Sequence, residues 1–411
     1  MFSASRAYVP TPNQRLILEL IRTRGPISRA DIVRLSSLTF PSVSRIVGEL
    51  IDRDLVEEKR QRRGGMGKPP TELELNPESA FSVGLSLDYD ELSAALIDLS
   101  GAVLVSSRVA VDDLGPDVMV PLMECHVGAL LEQHEVPQHL LLGIGVGLPL
   151  PVHNDQVTGN LPELLTAWQD VSLASVLGKR FGYPVLLENN ATAAAIGERW
   201  YGAGRDLGDF FLVFFAHGMG GGVVVGGRPH RGYRGFGGEF SCVPSLAPGN
   251  GSGRGAGEDV PHDAAHGRLM GLLKEAGVVE AVGDASGAAD LEALYSTQGE
   301  GYEVISRWLG EAADALVPTL VNTEYLLDPE AFIFGGRLPE KLTDALIEEL
   351  RVRLDRHRHP AKPYQPQLLR GKTGGDAAAF GAATIPIYRA MTPDPTPDAS
   401  YRAALAQELI H

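Results

Sequence analysis

Between residues 28 and 50 the apolar positions twice repeat at helical spacing, with a polar break between the two sets. Ile32, Leu35 and Leu38 alternate with polar neighbours; after Thr39 and Pro41 the apolar set resumes as Val43, Ile46, Val47 and Leu50. Residues three and four apart share one helix face, so the stretch predicts two short helices joined by a tight turn. Ser28 is placed to cap the first and Thr39 the second, and Pro41 falls in a first turn, where its missing N–H is harmless. The outward face of the second helix carries Ser42, Ser44, Arg45 and Glu49. Next, Leu55–Lys59 reads as a strand, residues 60–68 as a basic, glycine-rich tip, and the alternating Thr71–Leu75 as a returning strand. Two helices followed by such a hairpin make a winged helix, whose second helix enters the DNA major groove. Ser42, Ser44 and Arg45 are then expected at base edges, with Arg29 and Thr39 on phosphates. Arg62, Arg63 and Lys68 of the tip are expected in the adjacent minor groove or on its phosphates.

Pro69-Pro70 and Asn76-Pro77 mark a boundary, and the pattern changes beyond it. Phe81–Leu87, Glu91–Leu99 and Ala102–Val111 predict three strands, and a helix follows over about 116–134. Leu140–Gly147 and Pro184–Glu188 read as buried strands and Asn190–Trp200 as a helix. A second round starts with the strand Phe210–Phe215 and a glycine-rich turn, Gly218–Gly222, leading into Val223–Val225. Helical stretches over about 259–274, 288–296 and 301–323 precede a late strand, Ala331–Gly336, and a helix over about 376–391. Strands feeding helices in two rounds predict an α/β body of two lobes. The expected domains are a winged helix over 1–76, a first lobe over 77–200, a second lobe over 201–391 whose last helix returns to the first, and a tail over 392–411.

Charge sharpens the division. The chain of 411 residues carries a net −16, but residues 1–75 hold 13 Lys+Arg against 9 Asp+Glu, a net +4, and the remainder holds −20. Basic charge is gathered where phosphates would be met, and the acidic body keeps non-specific DNA binding weak. Two cysteines, Cys125 and Cys242, make no disulfide framework, and no apolar run is long enough to span a membrane. A reducing cytoplasm is the expected compartment.

Several segments together resemble the ROK family of repressors, open reading frames and sugar kinases, over essentially the whole chain. They are Gly147–Val152, Asn160-Leu161 with Trp168, Glu188–Ala195, Gly237-Gly238-Glu239, Asn322–Gly336, and Gly374–Ala377 with Gly381–Ala383. The resemblance implies an N-terminal winged helix followed by an actin-like sugar-kinase body. It also implies hydroxyl contacts to a sugar from Asn160, Asn189, Asn190, Glu239 and Glu258. Amides and carboxylates suit such a ligand, because each hydroxyl both donates and accepts.

The chain departs from the family's kinases where chemistry is done. They place a Gly-Gly-Thr-type turn after the first strand, whereas Leu85–Glu91 holds no glycine and three acidic residues. Their catalytic base is the Asp of a Glu-Asn-Asp motif; here that position is Asn190, and an amide is no general base. No catalytic residue and no ATP are therefore expected. The family's zinc site of one His and three Cys looks lost, since Cys242 stands at the His position and Gly249, Gly251 and Ala256 at the Cys positions. One rival metal set remains, Cys242 with His262 and His266.

The expected function is a DNA-binding regulator, a repressor of carbohydrate-use genes, whose operator binding responds to a sugar or sugar phosphate in a degenerate kinase cleft. A homodimer or homotetramer is implied by paired half-sites. Two alternatives stay open: a sugar kinase that also binds DNA, and a ligand-blind regulator controlled by a protein partner.

Overall fold

The computed structural model describes residues 10–60, 71–158, 163–168, 171–239, 264–279, 287–357 and 362–392. The chain divides into two compact units. One runs from the N-terminus to Ser79 and includes the chain from Ile387 onward; the other is Ala80–Pro386.

The first unit contains α1 (Pro12–Arg24), β1 (Ile27–Ser28), α2 (Arg29–Leu35), α3 (Phe40–Ile51), β2 (Val56–Arg60) and β3 (Thr71–Leu75). A capping box starts α1: the Thr11 N–H donates to the Gln14 side chain at 2.8 Å and the Gln14 N–H to the Thr11 hydroxyl. Ser28 caps α2 by accepting the Asp31 N–H at 3.2 Å. Ile17, Leu18 and Ile21 of α1 are buried, as are Ile32 of α2, Val43, Ile46, Val47 and Leu50 of α3, and Leu73 of β3. Each such side chain contributes about 1.5–3 kcal/mol by leaving water. Leu35 departs from the expected inward stripe and is 51 % exposed, because α2 ends there and the chain turns away at Ser36. The three strands form an antiparallel sheet in the order β1-β3-β2, with Val56 opposite Leu75 and Arg60 opposite Thr71.

The second unit repeats one topology. Its first sheet contains β4 (Phe81–Leu87), β5 (Glu91–Asp98), β6 (Val103–Ala110), β7 (Leu141–Leu148) and, after the short hairpin of β8 (Val152–His153) and β9 (Gln156–Val157), β10 (Val185–Asn189). The order is β10-β7-β4-β5-β6, with β4, β7 and β10 parallel and the other pairs antiparallel. The second sheet contains β11 (Phe210–Phe215), β12 (Met219–Val225), β13 (Arg228–Pro229), β14 (Ala331–Gly336) and β15 (Gln367–Arg370), in the order β13-β12-β11-β14-β15. Three antiparallel strands followed by two parallel ones thus occur twice. The parallel strands end together, Asn189 opposite Leu148 in one sheet and Phe215 opposite Gly336 in the other. Open α/β sheets bind ligands at such carboxyl ends.

Helices cover both sheets. α4 (Pro116–Gln133) and α5 (Leu173–Phe181) close the first core, which includes Val83, Leu85, Met119, Met123 and Leu177. α7 (His266–Glu275), α8 (Gly287–Ser296), α9 (Glu300–Leu327) and α10 (Glu340–His357) close the second, around Trp308, Phe332, Phe334 and Leu350. α6 (Asn190–Tyr201) packs Ala191, Ala194 and Ala195 against Phe210, Leu212 and Phe214 of the second sheet. α11 (Ala377–Met391) returns to the first sheet, and its approach requires glycine there. A Cβ at Gly84 would lie 2.0 Å from the Ala379 carbonyl oxygen, and one at Gly145 only 1.9 Å from that of Ala382.

The elements that lie outside those predicted from the sequence include the helices α1, α5 and α10 and the strand β15, besides the two-residue strands β1, β8 and β9. The predicted glycine turn at 218–222 is also corrected. The turn is at Ala216–Gly218, and Gly220–Gly222 are paired residues of β12 opposite Phe214–Leu212. An antiparallel partner and the close packing of α6 override the turn preference of the glycines.

Candidate functional site

In the first unit, α3 buries Val43, Ile46, Val47 and Leu50 and turns Ser42, Ser44 and Arg45 the other way. Arg45 is exposed and ion-paired with Glu49 one turn on, and Glu49 also accepts from the Gln14 side chain at 2.9 Å. Thr39 is the N-cap residue of α3, yet its hydroxyl makes no cap and donates to the Ser42 hydroxyl at 3.1 Å. Arg29 reaches Glu58 of β2 at 2.6 Å, which ties α2 to the base of the wing. Arg62, Arg63 and Lys68 lie outside the described residues. Phe40, at the start of α3 and 54 % exposed, was not foreseen. Its signal was present, since a large apolar residue stood just before Pro41 on the outward side of the pattern.

In the second unit, a cavity of about 170 Å³ opens where β4, β7, β10 and β11 end and β12 begins, lined by Asp88, Tyr89, Asn189, Asn190, Gly218 and Glu239 among others. That is small beside the ~300–1,000 Å³ of clefts that take drug-sized ligands. Asn160 and Glu258 lie outside the described residues.

The two asparagines do different things. Asn189 caps α6: its Oδ1 accepts from the Ala191 N–H at 2.9 Å and the Thr192 N–H at 3.1 Å. Its Nδ2 donates to the Leu150 carbonyl at 3.3 Å and to Glu239 Oε1 at 3.5 Å. Two lone pairs and two donors are therefore committed, and Asn189 positions Glu239. Asn190 is buried, accepts from the Ser86 hydroxyl at 3.2 Å and donates to the Leu87 carbonyl at 2.9 Å. Among the described residues, one N–H and one lone pair of this amide have no partner. Burial pushes the Glu239 carboxyl above the usual range. The preceding Glu188 is buried too and joined to Arg231 at 2.6 Å.

The other end of the cavity is a knot of charge that the sequence did not single out. Gly336 has φ +111° and lies so close to β11 that a Cβ would sit 2.1 Å from the Phe215 carbonyl oxygen. The next residue, Arg337, donates its N–H to that same oxygen at 2.7 Å and sends its guanidinium across to the β4–β5 turn. There Nη1 meets Asp90 at 2.7 Å and Asp88 at 3.3 Å, and Nη2 lies 3.6 Å from Glu91. His217 Nδ1 approaches Asp90 at 3.3 Å, and Arg108 joins Glu91 to Asp376. Burial alone would raise Asp90, but His217 and Arg337 outweigh it and hold this carboxyl well below its ordinary value. The Asp90 contact raises His217 in turn. Nearby His266 is buried at the start of α7, and desolvation, helped by Arg337, lowers its pKa to about 3. Its rival metal partners Cys242 and His262 lie outside the described residues. Among the described residues no three His, Cys, Asp or Glu side chains are grouped as metal ligands need. The signal for Arg337 was its place after Gly335-Gly336, at the carboxyl end of a buried strand.

Known proteins resemble both units. Residues 10–65 match the model of the MarR family. The xylose repressor of Bacillus subtilis is 29 % identical over 236 residues, 57 % of this chain and 61 % of that one. The DNA-binding transcriptional repressor Mlc of Escherichia coli is 27 % identical over 219 residues, 53 % of each chain. The chain thus spans less than two thirds of either repressor. A crystal structure of a ROK family transcriptional regulator, a homologue of Mlc, matches with a TM-score of 0.67 at 23 % identity, covering 92 % of this chain and 96 % of that one. Residues 82–388 match the model of the ROK family. With three quarters of its length in that match and a MarR-type winged helix before it, the chain belongs to the ROK family.

Proposed function

We propose that this protein is a sugar-responsive transcriptional repressor of carbohydrate-use genes, acting in the cytoplasm as a dimer or tetramer. The observation that carries this reading is the pairing of an exposed polar α3 face with a kinase-shaped cleft whose base position is an amide. Asn190 supports a binding role and opposes a catalytic one, since an amide cannot take up a substrate proton at neutral pH. The xylose repressor and Mlc, both named as repressors, support the same direction. Among the described residues no helix is long and apolar enough to cross a membrane.

ATP and zinc have no part in this reading. A polyphosphate does not fit the β4–β5 turn, where Asp88 already accepts the Tyr89 and His217 N–H groups and Asp90 and Glu91 add like charge. Ser42, Ser44 and Arg45 read bases, with Arg29, Thr39 and the wing residues Arg62, Arg63 and Lys68 supporting. Arg29 and Arg45 exchange their carboxylate partners for DNA. A sugar or sugar phosphate held by Asn190, Glu239, Asn160 and Glu258, with Asn189 in support, binds the DNA-incompetent state more tightly; without that difference it shifts nothing.

The test is recovery of genomic fragments bound by the full chain, followed by titration of the recovered operator with a sugar panel. Operator affinity falling at least tenfold with one sugar is the expected result. Sugar-dependent ATP turnover by the pure protein, or operator binding indifferent to every sugar, overturns it.

A further inference from the structure

We propose that the Asp88 carboxylate is a resident anion that makes this cleft take uncharged sugars and refuse their phosphate esters. The proposal rests on the sensor reading above and narrows its ligand.

Asp88 is buried at the end of β4. Its Oδ1 accepts the Tyr89 N–H at 2.9 Å. Its Oδ2 accepts the His217 N–H, from the turn of the other sheet, at 2.9 Å, and takes Arg337 Nη1 at 3.3 Å. Converging backbone N–H groups with a guanidinium behind them are the donor set of an anion site. Here a side chain of the chain itself holds that set. Asp90, at 2.7 Å on the same guanidinium, matches the remaining positive charge.

The rest of the cavity is no better suited to an anion. Its described lining contains two carboxylates, Asp88 and Glu239, and no Lys, Arg or His. Arg231, on the loop that leads to Glu239, is joined to Glu188 at 2.6 Å. A phosphate monoester carries a charge of about −1.5 to −2 at pH 7 and would enter against like charge with its seat already filled. Neutral hydroxyls meet the opposite situation. Glu239 accepts from them, the uncommitted N–H and lone pair of Asn190 serve one that both donates and accepts, and the Tyr89 ring offers an apolar wall.

Isothermal titration of the full chain tests this. The free sugars are D-xylose, D-glucose, D-mannose and N-acetyl-D-glucosamine; the esters are the 6-phosphates of the last three. We expect a free sugar to bind at least tenfold more tightly than any ester. Asp88→Asn, confirmed as folded by circular dichroism, narrows that ratio by about tenfold, because the resident charge is gone. An ester that binds as tightly as the free sugars, or a ratio unchanged in Asp88→Asn, overturns the proposal and leaves the sensor reading standing. Binding of neither set overturns the sensor reading and this proposal with it. The wild-type comparison needs no variant, so a failure of Asp88→Asn to fold does not shield the proposal.

Discussion

The β4–β5 turn and the β11–β12 turn occupy equivalent places in the two repeated sheets and meet through the His217–Asp88 hydrogen bond. The first has no glycine and fills its space with Asp88, Tyr89 and Asp90. The second is followed by three glycines, yet these sit in a paired strand and serve packing. A Cβ at Gly222 would lie 2.5 Å from both the Ala191 carbonyl oxygen and the Ala195 Cβ, and one at Gly221 only 2.3 Å from the Phe211 ring. Glycine kept at a phosphate-type turn is therefore no sign of a nucleotide. The same residues are explained by the close approach of α6 and Phe211, whereas the turn without glycine holds the buried carboxylate of Asp88.

The largest expected effect is on the charge knot. Arg337→Met leaves the buried Asp88 and Glu91 and the half-buried Asp90 without their shared cation and should destabilise the body by about 3–5 kcal/mol in urea unfolding. A loss under about 1 kcal/mol would mean that the acidic turn stands without Arg337.

The glycines of β12 come next. Gly222→Ala should cost about 3 kcal/mol, at the upper end of overpacking, because its neighbour is helix backbone. Gly218→Ala, with nothing within 4 Å of its Cβ, should stay within about 0.5 kcal/mol. Equal effects at the two positions would break the packing explanation.

His266 supplies a pH test. Its folded pKa, about 3, lies below the ordinary 6.5, so the unfolded chain binds the extra proton between these values. The stability this neutral ring contributes is present above pH 6.5 and is lost as pH falls toward 3. Between pH 7 and 5 the loss should be about 2 kcal/mol. Groups with raised pKa values oppose it: Glu91, Glu239 and His217 bind protons more readily in the folded chain. The difference between wild type and His266→Phe across that range isolates the His266 part. Parallel pH profiles would show that His266 is not held neutral.

The smallest effect concerns Asn190. Asn190→Asp introduces a carboxylate but sets it against the Leu87 carbonyl, now 2.9 Å from the amide nitrogen. We expect a loss of about 1–2 kcal/mol and no sugar-dependent ATP turnover. Turnover in this variant would show that the acidic first turn is no barrier to nucleotide.

Much of the fold was legible along the chain. The 3.6-residue spacing of Val43, Ile46, Val47 and Leu50 fixed which face of α3 is buried, and the apolar run Phe210–Phe215 announced a central strand. α10 had a pattern of its own in Leu342, Leu346, Ile347, Leu350 and Leu354, but its charged outer face, from Glu340 to Arg356, obscured it. α5 was hidden by its length of nine residues, and β15 by having only four. Of the site, the types of Asn189, Asn190 and Glu239 suggested a polyhydroxyl ligand, but type alone does not say which hydrogen-bonding positions are taken.

The sequence by itself determined the order of the units, the helical and strand periods, the separation of a basic end from an acidic body, and the presence of an amide at Asn190. These are properties of residue identity and spacing, readable without partners. Only the tertiary structure decided that Asn189 is a cap that holds Glu239, that Arg337 faces Asp88 and Asp90 from 247 or more positions away, and that the β12 glycines answer to α6. Hydrogen-bond saturation, ion pairing and van der Waals contact depend on which atoms meet in space, and long-range chain reversal brings those atoms together.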